Sequence, residues 1–437
     1  MRFDAGRRLL GAAVVGVVWG IGCNDIVHVS PADPHPAAGE VWGRAMDRDG
    51  SPSSRYVPPI HIGDQTTVAA ADGTFRFTGV QTPYDLVVGD TGDSLADSTH
   101  YISRSTVIYE GVTRQEPILL ADYYSEFAYG GSAYVTGRVP YVPRGRTRVI
   151  VVSADGRAGS DDAYGVSASY TVQARWMHGE SARVTLYALH YDQNDVLQDQ
   201  IIRYLSLRDD ERRVLDLENA NFAPAPTGFL NGSFRVEPYT RSRGAYLYVN
   251  FGRNILNFGS IPMDARFPDA FSTDVPLFPG ATYQIHLSAD WSFADYTSSE
   301  RRFAGLQPGD EPIQAVVYAG PELLEPADDA AGVEVTVPIR WRSRGGPGLY
   351  LLYIRGVQQR LYWEVRLYTT RTEVVLNDIP ALREFMRPGR TYRWEVRQLP
   401  VAATVDELLG GRDVENQGSS LSGNRQFTTS PNAAAAR

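Results

Sequence analysis

From residue 39 onward the chain consists of short runs in which apolar and polar residues alternate, with Gly, Pro, Asn and Asp between the runs. Alternation with a period of two turns one side of an extended segment toward a core, and β-branched and aromatic residues favour strands. The chain has no convincing long amphipathic helix, and 437 residues exceed what one core holds. The pattern therefore predicts an all-β fold of tandem β-sandwich domains.

The charge and cysteine content narrow the function. The 51 acidic residues outnumber the 42 basic ones, all of which are arginine, and the net charge of -9 argues against a nucleic-acid-binding protein. The absence of lysine excludes Schiff-base lysines and the lysine of a phosphate-binding loop. Cys23 is the only cysteine, so no internal disulfide can form and packed cores must supply the stability.

The N-terminal segment has the order of an export signal. Arg2, Arg7 and Arg8 precede an apolar stretch at residues 9–21, and Gly22-Cys23 follows it. A stretch of about 13 residues is too short to span a ~30 Å hydrocarbon core. The pattern Gly20-Ile21-Gly22-Cys23 resembles the signal of a bacterial lipoprotein, with glycine where leucine is usual. An ordinary secretory leader that happens to contain a cysteine is the alternative.

The lipoprotein resemblance implies a location for the protein, and the composition of the next segment predicts a tether. Residues 1–22 would be a cleaved signal peptide, and Cys23 would become an acylated N-terminus that anchors the protein in the cell envelope, at the outer membrane. Residues 23–38 are polar and rich in proline, a composition that buries no core and suits a flexible tether.

The first module is predicted at residues 39–122. Asp72-Gly73 marks a hairpin turn, and Phe75 and Phe77 alternate as a half-buried strand does. The order Gly-x-Val, then Asp-Gly-x-Phe-x-Phe, then Tyr-x-Leu-x-Val resembles the carboxypeptidase regulatory-like, or transthyretin-like, domain. Domains of that family are accessory β-sandwiches without catalytic residues, so the resemblance implies no site here.

A repeat of roughly 100 residues predicts two more sandwiches, at residues 123–221 and 222–318. Gly137 and its neighbours resemble the segment around Gly232, 95 positions later. Tyr170-Thr171-Val172 corresponds in the same way to the segment that begins at Phe271. Ile118, Val214 and Ile313 each begin a closing strand, and their spacings of 96 and 99 suit sandwich domains.

Residues 319–430 predict a fourth, different sandwich, followed by a disordered tail at 431–437. Its succession of strands, with Pro-Gly-x-x-Tyr-x-Trp-x-Val near the end, resembles a fibronectin type III domain. The resemblance implies a structural core of Trp341, Tyr392 and Trp394, with Tyr392 at the corner that enters the sixth strand. Extra residues at 378–387 and 402–421 exceed a minimal domain, so these loops are the expected place for an inserted partner site.

No catalytic or metal-binding motif is visible in the sequence, and no cofactor is expected. Histidines at strand positions, His61 and His286, alternate with apolar residues and are expected to be solvated and without an acidic partner. Acidic turns are weak candidates for calcium binding, and they contain Asp47, Asp49, Asp90, Asp93 and Asp97.

These observations predict a lipid-anchored, non-catalytic binding or scaffold protein of the cell envelope. The sandwiches would form a rod that presents loops to an envelope protein or polysaccharide. Two alternatives stay open. One is an envelope carbohydrate-active hydrolase with a dispersed site, for which two carboxylates about 5 to 10 Å apart in a deep cleft would be diagnostic. The other is an adhesin with a purely mechanical role.

Overall fold

The described residues form an all-β protein, as the sequence predicts. The computed structural model describes residues 38–46, 52, 59–89, 102–120, 130–154, 158–165, 168–176, 179–194, 196–218, 221–251, 254–263, 269–292, 296–346, 348–357, 361–379, 382, 385–400, 402–411 and 418–431. Cys23, the signal and nearly all of the tether therefore lie outside the described residues, as do the five calcium candidates and residues 432–437. Among the described residues, no helix is long and apolar enough to cross a membrane.

The described strands fall into four groups in chain order, called here the first to fourth sandwiches. The first contains β1 Glu40–Met46, β2 Ile60–Ile62, β3 Gln65–Thr67, β4 Thr74–Thr78, β5 Tyr84–Val88, β6 Ile102–Val112 and β7 Ile118–Leu120. The second contains β8 Gly131–Arg138, β9 Arg146–Ser153, β10 Ala158–Tyr164, β11 Ser169–Trp176, β12 Ser181–Tyr191, β13 Leu197–Arg208 and β14 Arg212–Val214, and the short β15 Ala223–Pro224 follows it.

The third sandwich contains β16 Thr227–Glu237, β17 Arg243–Phe251, β18 Asn254–Ile261, β19 Ala270–Pro276, β20 Thr282–Ser292, β21 Tyr296–Leu306 and β22 Ile313–Tyr318. The fourth contains β23 Glu322–Glu325, β24 Ala330–Val333, β25 Pro338–Arg342, β26 Leu349–Val357, β27 Leu361–Thr369, β28 Glu373–Val375, β29 Thr391–Leu399 and β30 Gly418–Thr429. A 3-10 turn, Leu376–Asp378, and a short helix, α1 Val405–Leu408, lie in the fourth sandwich.

The first three sandwiches share one topology. In each, the first strand pairs antiparallel with the fourth and parallel with the seventh, which gives the sheets β4-β1-β7, β11-β8-β14 and β19-β16-β22. The remaining strands of each sandwich follow the order third, second, fifth, sixth in the opposing sheet. The closing strands predicted to begin at Ile118 and Ile313 are thus the ones that pair parallel with the first strand. In the second sandwich this strand, β14, ends at Val214 instead of beginning there.

A glycine beneath an aromatic ring recurs at the same place in these three sandwiches. Gly43 pairs with Phe75, Gly137 with Tyr170, and Gly232 with Phe271, each between the first and fourth strands. A Cβ at any of the three glycines would lie closer than 3.2 Å to that ring, because the ring crosses the space that a side chain would fill. This contact is the physical basis of the repeat at Gly137 and Gly232.

The fourth sandwich opposes the sheet β23-β25-β28 to β27-β26-β29-β30, and β24 pairs parallel with β30. Trp341, Tyr392 and Trp394 are buried in the core between the two sheets. The Tyr392 hydroxyl donates to the Phe385 carbonyl at 3.1 Å and accepts the Arg387 N–H at 2.7 Å, which forms a tyrosine corner.

Three of the sandwiches are joined by edge-to-edge pairing into one continuous sheet. The edge strand β21 of the third pairs antiparallel with β30, and β27 pairs parallel with β6 of the first sandwich over eight residue pairs. The fourth sandwich therefore lies between the third and the first. The prediction that the sandwiches follow one another in a rod is wrong, because the last sandwich folds back and pairs with the first. This pairing satisfies backbone N–H and C=O groups that free strand edges would leave unpaired.

Shared cores reinforce these junctions. Leu351 and Tyr368 of the fourth sandwich pack in one cluster with Phe75 and Leu86 of the first. Tyr187 of the second packs against Phe278 of the third, with ring centroids 4.9 Å apart, and belongs to the third sandwich's core cluster. Apolar burial of this kind contributes about 25 cal/mol per Å², so the junctions are stabilised by packing as well as by hydrogen bonds.

Part of the insertion predicted to carry a partner site belongs to the first of these junctions. Val405, Leu408 and Leu409 are buried in the core shared by the first and fourth sandwiches. The Asp406 carboxylate accepts the N–H groups of Thr113 and Arg114, each at 3.0 Å. The expected loop for a partner therefore acts as an internal clamp over residues 402–411.

Candidate functional site

Six charged side chains and one tyrosine share a sheet face on β27, β26 and β29. Residues that pair directly across strands share a face, so Glu364, Arg355 and Arg393 form one row across this sheet. Arg366, Tyr353 and Glu395 form the next row, and Arg397 lies one row further along β29. We call this set of seven residues the arginine face.

The arginine face lies on the outer side of the fourth sandwich. Tyr350, Leu352 and Ile354 alternate with Leu351, Tyr353 and Arg355 along β26, and the first three are buried in the sandwich's own core. Leu351 and Tyr353 belong instead to the cluster shared with the first sandwich. The arginine face is therefore the region of this outer side where burial under the first sandwich gives way to charged side chains.

A network of ion pairs holds the guanidinium groups in place. Glu364 is only 4% exposed, and its carboxylate lies 3.0 Å from Arg355 Nε and accepts from Arg366 Nε at 2.5 Å. Glu395 accepts from Arg397 at 3.1 Å and lies 3.8 Å from Arg355. The carboxylates fix the direction of the guanidinium groups.

The Tyr353 ring is the floor of this network. The guanidinium carbons of Arg355, Arg366 and Arg397 lie 5.3, 5.5 and 4.5 Å from the ring centroid, within the range of a cation–π interaction. The ring itself is only 5% exposed. The surface offered to solvent is therefore made of guanidinium edges rather than of an aromatic ring.

The charge balance of the arginine face is positive. Its four arginines and two glutamates leave two positive charges, in a protein whose net charge is -9. Arg393 is exposed and lies directly opposite Arg355 across the β26–β29 pair. Like charges in directly opposite positions repel each other across a sheet, and at Arg355 the Glu364 and Glu395 carboxylates offset part of that repulsion.

A second charged group surrounds His286. Contrary to expectation, His286 is buried at 8% exposure and has an acidic partner: its Nδ1 lies 2.7 Å from Glu300 Oε1. Arg302 donates to the same carboxylate at 2.9 and 2.8 Å, and Tyr248 stacks on the imidazole at 3.9 Å. Burial alone would raise the pKa of Glu300, but the hydrogen bonds from His286 and Arg302 and the Arg302 charge hold it at about 2.

His190 makes a comparable pair near the junction of the second and third sandwiches. Its Nδ1 lies 2.7 Å from Asp199 Oδ1, and Phe222 stacks on the ring at 3.5 Å. Burial lowers the pKa of His190, although Asp199 favours the charged form. This pair holds β15 and Phe222, the segment that leads into the third sandwich, against β13.

A cavity of about 510 Å³ lies where the first sandwich meets the fourth. His61, Asp64, Gln81 and Asp85 supply polar groups, and Ile379 closes it from the fourth sandwich. His61 is half-buried and contacts Thr66 Oγ1 at 2.8 Å. Among the described residues, no group of three His, Cys, Asp or Glu side chains is placed to hold a metal ion.

Two features were not predicted from the sequence, a second tyrosine corner and the arginine face. The tyrosine corner of Tyr392 has a twin at Tyr283, whose hydroxyl donates to the Pro276 carbonyl and accepts the Phe278 N–H at 3.3 Å. The motif Pro-Gly-x-Thr-Tyr, which occurs at residues 279–283 and 388–392, could have revealed it. The arginine face has no such signal, because its residues come from three strands.

No family model matches the sequence, and no curated protein matches it. Solved structures with similar features include the Bacillus cereus major pilin subunit BcpA (10% identity, TM-score 0.15, 64% of this chain and 98% of that chain) and the Bacillus anthracis TIE protein (8%, 0.17, 64% and 50%). A leucine-rich repeat protein from Bacteroides thetaiotaomicron matches at 14% identity and TM-score 0.16 over 43% of this chain and 27% of that chain. The chain thus spans half or less of two of these structures, and likenesses this weak carry no functional information.

Proposed function

We propose that this protein is a lipid-anchored, non-catalytic scaffold of the cell envelope, in which the four sandwiches form one presenting body. The single observation that carries the proposal is the continuous sheet from β18 to β3, which passes through the third, fourth and first sandwiches. Pairing of strand edges fixes the third, fourth and first sandwiches to one another, and the apolar clusters shared between sandwiches add packing contacts at the junctions. Such an arrangement suits a body that transmits load or holds a binding surface at a set distance.

The domain identities expected from the sequence form part of this proposal. The strand order of the first three sandwiches supports a transthyretin-like assignment at 39–122, 123–221 and 222–318. The sheet pairing of the fourth, with its tyrosine corner, supports a fibronectin type III-like domain at 319–430. The role that we propose for these domains is that of a non-catalytic scaffold that presents a binding surface.

The anchor is tested by metabolic labelling with a fatty-acid analogue. The wild-type chain is expected to take up the label and to fractionate with envelope membranes, whereas Cys23→Ala takes up none. Equal labelling of both chains contradicts the anchor. Cys23→Ser, which keeps the size of the side chain but lacks the thiol, is the matched control and should behave as the alanine variant does.

The non-catalytic role is tested by incubating the purified full chain with envelope polysaccharides and with a peptide library. No release of reducing ends or of new amino termini is expected. Turnover that persists through purification, and that disappears on substitution of Asp64 and Asp85 in the cavity, contradicts the scaffold role and favours a hydrolase.

A further inference from the structure

We propose that the arginine face binds an acidic polysaccharide of the cell envelope, an inference that rests on the proposed scaffold function and gives it a partner. The face is the set Tyr353, Arg355, Glu364, Arg366, Arg393, Glu395 and Arg397, on the outer side of β27, β26 and β29. It presents a net positive charge on a protein of net charge -9. Charge complementarity therefore selects an anionic partner.

The guanidinium groups are held ready for such a partner. Arg355, Arg366 and Arg397 keep 34%, 24% and 33% of their side-chain area exposed while their carboxylate partners and the Tyr353 ring fix their direction. A planar guanidinium can donate two parallel hydrogen bonds to a carboxylate or sulfate group. Because the side chains are already ordered, binding costs less conformational entropy than it would for mobile surface arginines.

Arg393 supplies the clearest indication of a ligand. It is exposed and directly opposite Arg355, and like charges in such positions repel each other. An anionic group placed between the two guanidiniums would remove the repulsion and bind to both. The placement is thus unfavourable in the unliganded protein and favourable in the complex.

The surface favours a polysaccharide over an acidic protein. The centres of protein–protein interfaces are enriched in arginine, but they are depleted in glutamate, aspartate and lysine and depend on accessible aromatic anchors. Here the centre is charged, and its one aromatic ring is 5% exposed beneath guanidinium groups. Arg355 and Arg393 lie on neighbouring strands, which are about 4.8 Å apart, and Arg366 and Arg397 lie one and two rows further along the face, so a linear anionic chain laid on it can meet several guanidinium groups.

The test is affinity electrophoresis of the purified full chain, in nonionic detergent, through gels that contain polygalacturonate, with neutral dextran gels in parallel. Retardation by polygalacturonate is expected, decreasing as salt is added because exposed charges are screened. Dextran should not retard the chain. Arg393→Gln should weaken the binding by about threefold, the scale of one exposed ion pair.

Two further variants distinguish binding at the arginine face from non-specific attraction between the polyanion and other surface arginines. Glu395→Gln removes one negative charge from the face but keeps a side-chain oxygen that can accept from Arg397, now 3.1 Å from the Glu395 carboxylate, so it should strengthen binding by about threefold. Arg175→Gln, which removes one exposed arginine from β11 of the second sandwich, is the matched control and should leave the retardation unchanged. Opposite effects of Arg393→Gln and Glu395→Gln cannot arise from a general loss of folding.

Three results would overturn this inference: no retardation by polygalacturonate at low salt, an equal loss on Arg175→Gln, or equal competition by polyglutamate, which would indicate an acidic polypeptide instead. The proposed function has a separate outcome. A chain that is acylated at Cys23 and turns nothing over, but does not bind polygalacturonate, loses the polysaccharide partner and keeps the scaffold role. Turnover of polygalacturonate would refute the scaffold role itself.

Discussion

Substitution of Gly137 by alanine should open the small sheet of the second sandwich. A Cβ at this position would lie 2.0 Å from the Leu215 carbonyl oxygen, whereas ordinary contact begins at 3.4 Å. That oxygen is held in place because it accepts the Tyr170 hydroxyl at 2.6 Å, and the Leu215 N–H donates to the Thr136 carbonyl at 2.8 Å. The obstacle is backbone in a hydrogen-bonded position, so it cannot rotate aside as the end of a side chain would.

The expected cost follows from these contacts. Relieving the overlap requires a movement of about 1.4 Å between β8 and the segment after β14, and overpacking of this kind costs about 1 to 3 kcal/mol. Loss of one of the two hydrogen bonds at Leu215 adds about 1 kcal/mol. We therefore expect the local free energy of opening to fall by about 3 kcal/mol, which corresponds to about a 100-fold loss of amide protection.

Hydrogen exchange measured by mass spectrometry reads this effect locally. Peptides that cover β8 and β11 should lose protection in Gly137→Ala, while those from the fourth sandwich keep theirs. Gly348→Ala is the matched control, because its Cβ meets nothing within 4 Å and its backbone is not left-handed. Wild-type protection in Gly137→Ala, or an equal loss in Gly348→Ala, would refute the steric reasoning.

Three other perturbations have outcomes set by particular contacts. Tyr392→Phe and Tyr283→Phe each leave a carbonyl and an N–H without the corner hydroxyl, so each should cost about 1 to 3 kcal/mol in its own sandwich, measured by urea denaturation; a silent Tyr283→Phe would show that the twin corner contributes nothing. Glu300 has a folded-state pKa of about 2 against an ordinary 4.5, so its stabilisation is present above pH 4.5 and is lost as the pH falls toward 2; Glu300→Gln should flatten this part of the acid-denaturation curve, and an unchanged curve would assign the loss to other groups. Asp406→Ala removes the acceptor of the Thr113 and Arg114 N–H groups, so hydrogen exchange should increase at residues 110–120 and not in the second sandwich; an increase in both would indicate general destabilisation instead of loss of a clamp.

Local alternation was sufficient to predict individual strands. Phe75 and Phe77 are buried on β4, and Arg76 between them is exposed, as a period of two requires. The turn at Asp72-Gly73 also forms, with Gly73 at a φ of +80°. It is not a hairpin, however, because β3 and β4 belong to different sheets. Local signals thus identify a turn without fixing which strands it pairs.

His286 shows where alternation is misleading. It occupies the face of β20 opposite the third sandwich's core, which predicts a solvated side chain. The structure buries it beneath Tyr248 and beside Glu300 and Arg302, which come from β17 and β21. The partner of a strand residue is set by which strands are neighbours and by their register, whereas the strand's own alternation indicates only the face on which each residue lies.

The sequence by itself determined the all-β composition of the chain, the strand periodicity, the roughly 100-residue repeat and the residues of the Tyr392 corner, because each depends on contacts within a short segment or on a motif that recurs. Only the tertiary structure decided that the fourth sandwich pairs with the first, and that arginines from three strands meet around Tyr353. Strand edges pair through backbone N–H and C=O groups that every residue carries, so the choice of partner is made by the packing of whole domains.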